Sequence, residues 1–360
     1  MKILYLITGL GGGGAEKVVA DLADQMFQRG YQVKIAYLKG EVIVRPENKS
    51  IELIYLGLET FKNSKLAYQN YKKLILEFKP DVVHAQMVHA NIFARISRRF
   101  IQVPKLICTA HNSNEGGRIR MLAYQLTNSL SNLNTNVSRE ATSIFQHLKA
   151  FDSSAITVYN GINLTRFIRE ETKPQVVFNE INCLNHKIIL AVGRLNTQKD
   201  YPNLLKAISL LKNTTDQLFK VVIVGEGDQR ASIDNLIKSM NLNSDVFLLG
   251  RRSDVPKLMS AADIFVLSSE YEGFGLVVAE AMACETFVVA TDCGGVKEVM
   301  GGYGLMVKPK DSEALATTLL KALNMKNQER EENNNNALSH IQENFDLNLI
   351  IQQWIEIYES

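Results

Sequence analysis

The chain has few cysteines and no long apolar run. Four cysteines in 360 residues form neither a disulfide framework nor a zinc-binding pattern. No window approaches the roughly 18–20 uncharged apolar residues of a membrane-spanning helix. The apolar start of the chain ends in four glycines, with no small-residue cleavage site after it, so we expect no signal peptide. These absences predict a cytoplasmic protein.

The length and composition indicate a folded protein of two domains. A chain of 360 residues suits two domains of roughly 150–200 residues each. Apolar residues make up 46% of the chain and charged residues 22%, which excludes a largely disordered chain.

The charge is distributed unevenly, although the net charge is only +2. Residues 1–170 hold 22 Lys and Arg against 13 Asp and Glu, whereas the remainder holds 18 against 25. This asymmetry predicts that the first half faces an anionic partner, with nucleic acid and an acidic membrane surface as the candidates.

Short apolar runs alternate with helical patterns along both halves, which is typical of doubly wound parallel sheets. The strands predicted in the first half are Lys2–Thr8, Gln32–Leu38, Asp81–Ala85, Lys105–Ala110, Asn134–Val137 and Ala155–Val158. Those in the second half are Lys187–Val192, Lys220–Val224, Val246–Leu249, Ile264–Leu267 and Thr286–Ala290. We therefore predict an α/β protein of two doubly wound, Rossmann-like domains facing a cleft, with ligands at the carboxyl ends of the strands.

The domain boundaries follow from the same pattern. The first domain is predicted to span residues 1–165 and to be completed by a C-terminal helix at about 345–360, and the second to span 166–344. Leu347–Tyr358 is predicted to be an amphipathic helix with Leu349, Ile350, Trp354 and Ile357 on one side. The polar segment Asn327–Asn336 is expected to form a surface turn or a frayed helix end.

A glycine loop follows the first strand. Gly9, Gly11 and Gly14 match G-x-G-x-x-G, the dinucleotide-binding fingerprint. That function requires an acidic residue at the end of the second strand, where the chain has Lys39 and its first acid is Glu41. Three interpretations stay open: a nicotinamide cofactor, a tight turn, or bare backbone N–H groups that bind another anionic or sugar ligand.

The second half holds the most informative segment, Glu272–Glu280. Gly273 and Gly275 leave backbone N–H groups uncovered at a predicted helix start, which favours an anionic ligand. Arg194 and Lys199 follow a predicted strand and suit a diphosphate without a metal, although an exposed ion-pairing role is equally open. Asp-x-Asp occurs nowhere in the chain, so no metal site is predicted.

Together these segments resemble the retaining glycosyltransferases of the GT-B fold in glycosyltransferase family 4, a group that includes bacterial capsule, lipopolysaccharide and glycolipid enzymes. The resemblance covers nearly the whole chain. It rests on the following motifs: Gly13-Gly14-Ala15-Glu16, Pro80-Asp81-Val82-Val83-His84, His111-Asn112, Asn160-Gly161-Ile162-Asn163, Val192-Gly193-Arg194-Leu195 with Lys199, Val224-Gly225-Glu226-Gly227, and Glu272–Glu280.

The resemblance implies a nucleotide-sugar donor, with a UDP-sugar expected, held mainly by the second half. Arg194 and Lys199 would neutralise its diphosphate, and Glu280 would bind the ribose. Glu272 and the amides of Gly273, Phe274, Gly275 and Leu276 would position the sugar and the β-phosphate. From the first half, the Gly13-Gly14 backbone would approach the diphosphate, and His111 would contact the donor sugar; without the resemblance, a core or capping histidine is the simpler interpretation.

Such enzymes keep the anomeric configuration, and the departing diphosphate can act as the base. Paired acid and base carboxylates are then not required, and the protein contributes charge stabilisation and positioning. No cofactor or metal is expected. The chain departs from the family pattern at Cys284-Glu285-Thr286-Phe287, at Ser268-Ser269, and at Gln86, which replaces a frequent second histidine after His84.

Cations in the first half are interleaved with aromatic and aliphatic residues, which suits an anionic lipid surface. Ordinary solvated helix faces remain the alternative. The predicted membrane and acceptor surface consists of Lys62, Lys65, Lys72, Lys73, Arg95, Arg98, Arg99, Arg118 and Arg120. Nucleic acid is not expected, because no binding motif accompanies the charge.

We therefore expect sugar transfer to a lipid-linked saccharide in surface polysaccharide assembly, by a protein peripheral to the inner face of the cell membrane. Two other enzymes stay open: a UDP-sugar 2-epimerase of the same architecture, which would form product without an acceptor, and a nicotinamide oxidoreductase using Gly9–Gly14.

Overall fold

The structure, a computed structural model, describes residues 1–113, 115–171, 174–178, 181 and 183–360. The chain divides into two compact units. Unit 1 comprises Met1–Gly161 and Asn348–Ser360, and unit 2 comprises Ile162–Leu347. The boundaries expected from the sequence were residues 165 and 345.

Unit 1 contains a seven-stranded parallel sheet in the order β3-β2-β1-β4-β5-β6-β7. Its elements in chain order are β1 (Lys2–Ile7), α1 (Gly14–Gln28), β2 (Gln32–Tyr37), β3 (Glu52–Tyr55), α2 (Ser64–Phe78), β4 (Val82–Gln86), α3 (Val88–Arg98), β5 (Lys105–Ala110), α4 (Gly117–Thr127), β6 (Leu133–Asn136), α5 (Arg139–His147) and β7 (Ile156–Thr157).

Unit 2 contains a six-stranded parallel sheet in the order β10-β9-β8-β11-β12-β13. Its elements are α6 (Pro174–Val177), β8 (Lys187–Val192), α7 (Tyr201–Lys212), β9 (Phe219–Val224), α8 (Arg230–Ser239), β10 (Val246–Gly250), α9 (Val255–Ala261), β11 (Ile264–Leu267), α10 (Leu276–Ala283), β12 (Phe287–Thr291), α11 (Val296–Met300), β13 (Leu305–Val307), α12 (Ser312–Leu323) and α13 (Asn327–Phe345). The final helix, α14 (Leu347–Glu359), lies almost wholly in unit 1.

The prediction of two doubly wound α/β units is confirmed. The central strands form where the sequence has apolar runs, because a strand covered on both faces needs apolar side chains at successive positions. In β1, Ile3 to Ile7 are fully buried, and in β11 no residue is more than 3% exposed. Two strands were not predicted, β3 and β13. Both are sheet edges of only four and three residues with partly exposed side chains, so the apolar run of each is too short to mark a strand by itself.

The expectation of a surface turn or frayed end at Asn327–Asn336 is wrong, because this segment begins the 19-residue helix α13. Its polar side chains bond to backbone groups elsewhere in unit 2. Arg330 donates to the carbonyls of Asp263 and Ala322, and Asn334 is buried and donates to the carbonyl of Glu285. These tertiary hydrogen bonds fix a segment that lacks an apolar face.

The helix α14 packs on unit 1 through Ile350, Ile351, Trp354 and Tyr358, all 3% exposed or less. Leu349, predicted on the buried side, is 47% exposed, so the apolar face is turned by one residue.

Tyr358 connects this helix to the sheet through His84 on β4. Its hydroxyl lies 2.7 Å from His84 Nδ1, and His84 Nε2 lies 2.6 Å from Thr109 Oγ1 on β5. Burial lowers the pKa of His84 to about 3, so the ring is neutral at physiological pH. His84, the last residue of the motif that begins at Pro80, therefore holds the C-terminal helix in place.

Candidate active site

The predicted donor residues follow the two strands at the switch point of unit 2. The sheet order reverses between β8 and β11, and ligands of doubly wound sheets bind at the carboxyl ends of such a strand pair. Gly193 and Arg194 come directly after β8, and the segment from Ser268 to Gly275 follows β11. Arg194 is exposed.

Lys199, which is partly buried, and Glu272, which is buried, form an ion pair in this region. Lys199 Nζ lies 2.6 Å from Glu272 Oε1, and the two side chains are only 15% and 10% exposed. Ser269 Oγ donates to the same carboxylate oxygen at 2.7 Å. A Cβ at position 193 would lie 2.9 Å from Lys199 Cε, so Gly193 leaves the space that the lysine side chain crosses. The pair gives a fixed positive and a fixed negative group at one strand end.

The glycine segment after Glu272 forms the start of α10. Gly275 caps the helix with φ +90°, a conformation that favours glycine, and a Cβ there would lie 2.9 Å from Val296. Phe274 is 2% exposed and packs edge-to-face on Phe345. Only the backbone of Phe274 is therefore suited to a ligand, as the resemblance implies.

Glu280 lies about one turn inside α10, and it is 9% exposed. Its predicted contact with a ribose remains a prediction.

The loop after β12, which was not predicted as part of the site, supports the backbone of Glu272 and Gly273. Gly295 N donates to the carbonyl of Gly273 at 3.1 Å, and a Cβ at Gly294 would lie 1.9 Å from the carbonyl oxygen of Glu272. The available signal was the glycine pair in Asp292-Cys293-Gly294-Gly295, which directly follows β12.

In unit 1, the glycine loop connects β1 to α1. Gly12 has φ +93°, and Gly13 is an extended N-cap without a side chain to cap the helix. A Cβ at Gly9 would lie 2.9 Å from the carbonyl oxygen of Lys39. The loop therefore presents backbone N–H groups at the start of α1, beginning with Gly14, and this geometry suits an anionic ligand.

His111 follows β5 and is held by two groups. Its backbone N–H donates to Glu115 Oε1 at 2.9 Å, and its Nε2 lies 2.5 Å from Gln86 Oε1 at the end of β4. Burial lowers the pKa of His111 to about 4. Glu115 also accepts a hydrogen bond from Tyr124, and burial raises the pKa of its carboxyl. Neither Gln86 nor Glu115 was predicted as a site residue.

The predicted basic surface needs one correction. Arg95 is fully buried; its guanidinium donates to Asn134 and to the carbonyl of Tyr124, so it stabilises the interior of unit 1. Arg98 is partly buried and donates to the carbonyls of Leu130 and Pro104. The other predicted cations are exposed: Lys62, Lys65, Lys72, Lys73, Arg99, Arg118 and Arg120.

Exposed apolar side chains accompany these cations on α4. Ile119, Leu122 and Leu126 are 85%, 52% and 72% exposed and lie at helical positions i, i+3 and i+7, hence on one face. We call these three residues the α4 apolar stripe. Within the described residues, no helix is long and apolar enough to cross a bilayer.

Two family models together match most of the chain. The model described as Glycosyltransferase Family 4 matches residues 12–166, and that described as Glycosyl transferases group 1 matches residues 175–340.

Individual relatives differ in their acceptors. The chain is 28% identical to an N-acetylgalactosamine-N,N'-diacetylbacillosaminyl-diphospho-undecaprenol 4-alpha-N-acetylgalactosaminyltransferase of Campylobacter jejuni, over 87% of this chain and 88% of that protein. It is 25% identical to an N-acetyl-alpha-D-glucosaminyl L-malate synthase of Bacillus anthracis, over 96% and 93%. Among solved structures, Anabaena HepE in complex with UDP-glucose aligns over 100% of both chains with a TM-score of 0.87 at 22% identity.

Proposed function

Since the chain belongs to glycosyltransferase family 4, with the GT-B fold, we propose that it transfers a sugar from a UDP-sugar to a lipid-linked saccharide with retention of configuration. The observation that carries this proposal is the Lys199–Glu272 ion pair at the switch point of unit 2. Glu272 lies on the chain segment that also supplies the glycine-rich start of α10.

The diphosphate is the group that unit 2 suits best. Lys199 uses one of its three ammonium N–H groups on Glu272 and retains two for phosphate oxygens. Arg194 supplies a second cation, and the first-turn amides of α10 supply neutral donors aligned with the helix dipole. Because these cations can neutralise the leaving group, we propose that transfer needs no metal.

In the proposed mechanism the protein positions the sugar and stabilises charge on the leaving diphosphate, and its side chains exchange no protons with the substrates. The leaving phosphate oxygen removes the acceptor proton as the new bond forms on the same face of the sugar. Lys199, Arg194 and the α10 amides stabilise the negative charge that develops on the departing diphosphate. Glu272, fixed by Ser269 and Lys199, orients the sugar.

The choice of UDP is supported by the structural neighbour HepE, which was crystallised with UDP-glucose. A thermal-shift panel of UDP, GDP and ADP, with and without EDTA, tests it. A ligand at 100 times its dissociation constant adds about 2.7 kcal/mol to stability, so the correct nucleotide raises the melting temperature visibly. A shift with GDP alone would overturn the UDP assignment, and a shift that EDTA abolishes would overturn metal independence.

The lipid-linked acceptor is supported by the Campylobacter relative, whose name specifies an undecaprenol diphosphate acceptor. The L-malate relative defines the competing result. Incubation with a UDP-sugar and either a polyprenyl-diphosphate saccharide or L-malate separates the two acceptors, and the anomeric coupling constant of the product reports retention. Transfer to L-malate alone would refute the lipid-linked acceptor.

We also propose that unit 1 rests on an anionic membrane surface through the α4 apolar stripe. The helix carries Arg118 and Arg120 and no acidic residue, so apolar insertion and charge attraction act together.

The proposed acceptor pocket is a cavity of about 270 Å³ in unit 1. It lies beyond the carboxyl ends of β2 and β3. Its lining residues are Leu38, Lys39, Leu58, Glu59, Thr60, Phe61 and His89.

Sedimentation with phosphatidylglycerol vesicles tests this surface. The double variant Ile119→Ser, Leu126→Ser is expected to lose about tenfold or more in vesicle affinity, since each side chain leaves exposed apolar area unburied. The matched control is Leu210→Ser, Leu218→Ser, two exposed leucines of unit 2. Equal loss in both variants would refute the α4 surface.

A further inference from the structure

Gln86 occupies the switch point of the unit 1 sheet. It is the last residue of β4 and lies opposite Ile7 of β1 and Thr109 of β5. The order of this sheet reverses between β1 and β4, so Gln86 ends a strand where ligands of doubly wound sheets bind. Gln86 is 1% exposed, so its side chain lies in the interior and not in solvent.

The side chain of Gln86 makes a short contact with His111. Its Oε1 lies 2.5 Å from His111 Nε2, whereas its Nε2 is buried with no hydrogen-bond partner in the described part of the chain. With the amide oxygen placed toward the ring, the hydrogen of the imidazole is assigned to Nε2, because an amide oxygen only accepts hydrogen bonds. The opposite ring nitrogen, Nδ1, is then an acceptor.

We infer that Gln86 is a positioning residue for the transfer reaction: it holds His111 in the Nε2–H tautomer and thereby presents Nδ1 to a hydroxyl group of a sugar. This inference rests on the proposed function.

The groups around His111 agree with a neutral ring. Glu115 receives the backbone N–H of His111 and the hydroxyl of Tyr124, and Arg120 donates to the Glu115 carbonyl. His84, the other nearby imidazole, is occupied on both nitrogens by Tyr358 and Thr109. Burial lowers the pKa of His111 to about 4, so the ring stays neutral through neutral pH.

The test combines ¹⁵N NMR of the free protein with steady-state transfer kinetics. The variants are Gln86→Met, which removes the acceptor, and Gln86→Glu, which adds a charge, and His111→Gln identifies the His111 signals among the six histidines. The matched control is Gln353→Glu, an exposed glutamine on α14 with the same change of charge.

In the wild type we expect the Nε2–H tautomer, with no titration across about pH 5–8, where an ordinary imidazole titrates. In Gln86→Met both tautomers should appear, and kcat should fall about tenfold, as for loss of one good hydrogen bond, with KM for the donor changed less than about threefold. In Gln86→Glu the carboxylate raises the pKa of His111, so a new acidic limb enters the pH profile of kcat. The control should match the wild type.

Two results would overturn the inference. One is a wild-type His111 protonated on Nδ1, and the other is a Gln86→Met variant whose tautomers mix while kcat stays unchanged. If the wild-type protein transfers no sugar from any nucleotide donor, the proposed function is wrong instead, and the NMR arm still decides whether Gln86 sets the tautomer.

Discussion

The two units share a topology but differ in the chemistry at their switch points. In unit 2 that point carries an ion pair, Lys199–Glu272, with a further cation at Arg194. In unit 1 it carries a neutral pair, Gln86 and His111, in which burial keeps the imidazole uncharged. The charged site therefore lies in the half whose overall charge is negative.

This contrast shows that the net charge of each half does not give the charge at its switch point. The excess of Lys and Arg in residues 1–170 reflects mostly exposed helix side chains of unit 1, which suit a broad anionic surface. The cations of unit 2 are few but precisely placed, which suits a compact diphosphate. Four comparisons of variants test this division, from the largest expected effect to the smallest.

Replacing Lys199 with alanine should have the largest effect. The change removes a diphosphate cation and leaves Glu272 buried without this partner, so transfer should fall by a factor on the order of 10²–10³. The measurement is kcat in EDTA. The control is Lys310→Ala, whose pair with Glu270 is exposed and should matter less than about twofold. Full transfer by Lys199→Ala would refute the role of Lys199 in unit 2.

Variants of Arg95 and Arg99 compare an interior cation of unit 1 with a surface cation of the same unit. Arg95→Leu should lower the free energy of unfolding by about 3 kcal/mol, since the buried carbonyl of Tyr124 and the amide of Asn134 lose a charged donor. Arg99→Leu should leave stability unchanged and weaken vesicle binding slightly. Urea unfolding and vesicle sedimentation check the two effects, and equal stabilities of the two variants would contradict the placement of Arg95.

Gly294 and Gly302 provide a matched pair in unit 2, because both have positive φ. A Cβ at Gly294 would lie 1.9 Å from the Glu272 carbonyl oxygen, whereas nothing lies within 4 Å of one at Gly302. Backbone strain alone costs about 1–2 kcal/mol in each alanine variant. Gly294→Ala should cost about 2 kcal/mol more by thermal unfolding and should weaken UDP binding. Identical losses of stability in the two variants would show that the loop shifts to accommodate the new Cβ without displacing Glu272.

The smallest effect concerns pH and unit 1. The pKa of His84 is about 3 in the folded protein and about 6.5 in an unfolded chain, so only the unfolded state binds this proton as the pH falls below about 6.5. The free energy of unfolding therefore decreases as the pH falls below about 6.5, and this group contributes about 1.4 kcal/mol per pH unit to the decrease.

Hydrogen exchange locates the effect of pH in each unit. Amides of β4 and β5 should lose protection between about pH 6.5 and 5.5, and those of β8 should not respond to this group. His84→Asn should reduce the change in unit 1, and the comparison of variant with wild type cancels the opposite contribution of Glu115, whose pKa burial raises. His111, whose pKa burial lowers to about 4, contributes in the same direction in both proteins, so a response of His84→Asn equal in size to that of the wild type would assign the effect elsewhere.

Buried strands and the donor motif were predictable for a shared reason: they depend on local sequence. β5, β8 and β11 were predicted with the observed limits because their apolar runs are covered on both faces. The helix start after Gly275 was predicted within a residue because glycine and a following apolar run mark it.

The rest depends on distant partners. Lys199 and Glu272 are 73 positions apart, so their pairing was invisible in the sequence although both residues were selected. Arg95 alternates with apolar residues like a surface cation, and only the packing of α3, α4 and β6 around it shows that it is buried. Asn334 was taken for a solvated residue because the carbonyl that it binds belongs to Glu285, 49 positions away.

The attachment of α14 to β4 has a consequence for biosynthesis. Residues 348–360 leave the ribosome only after all of unit 2, yet Trp354 and Tyr358 cover His84 and Tyr5 in the centre of the unit 1 sheet. Unit 2 is continuous in sequence, so it can finish folding during translation, whereas unit 1 must wait with part of its core uncovered. The N-terminal half of this nascent chain is therefore the later half to mature, and the interval is when chaperones would be needed most.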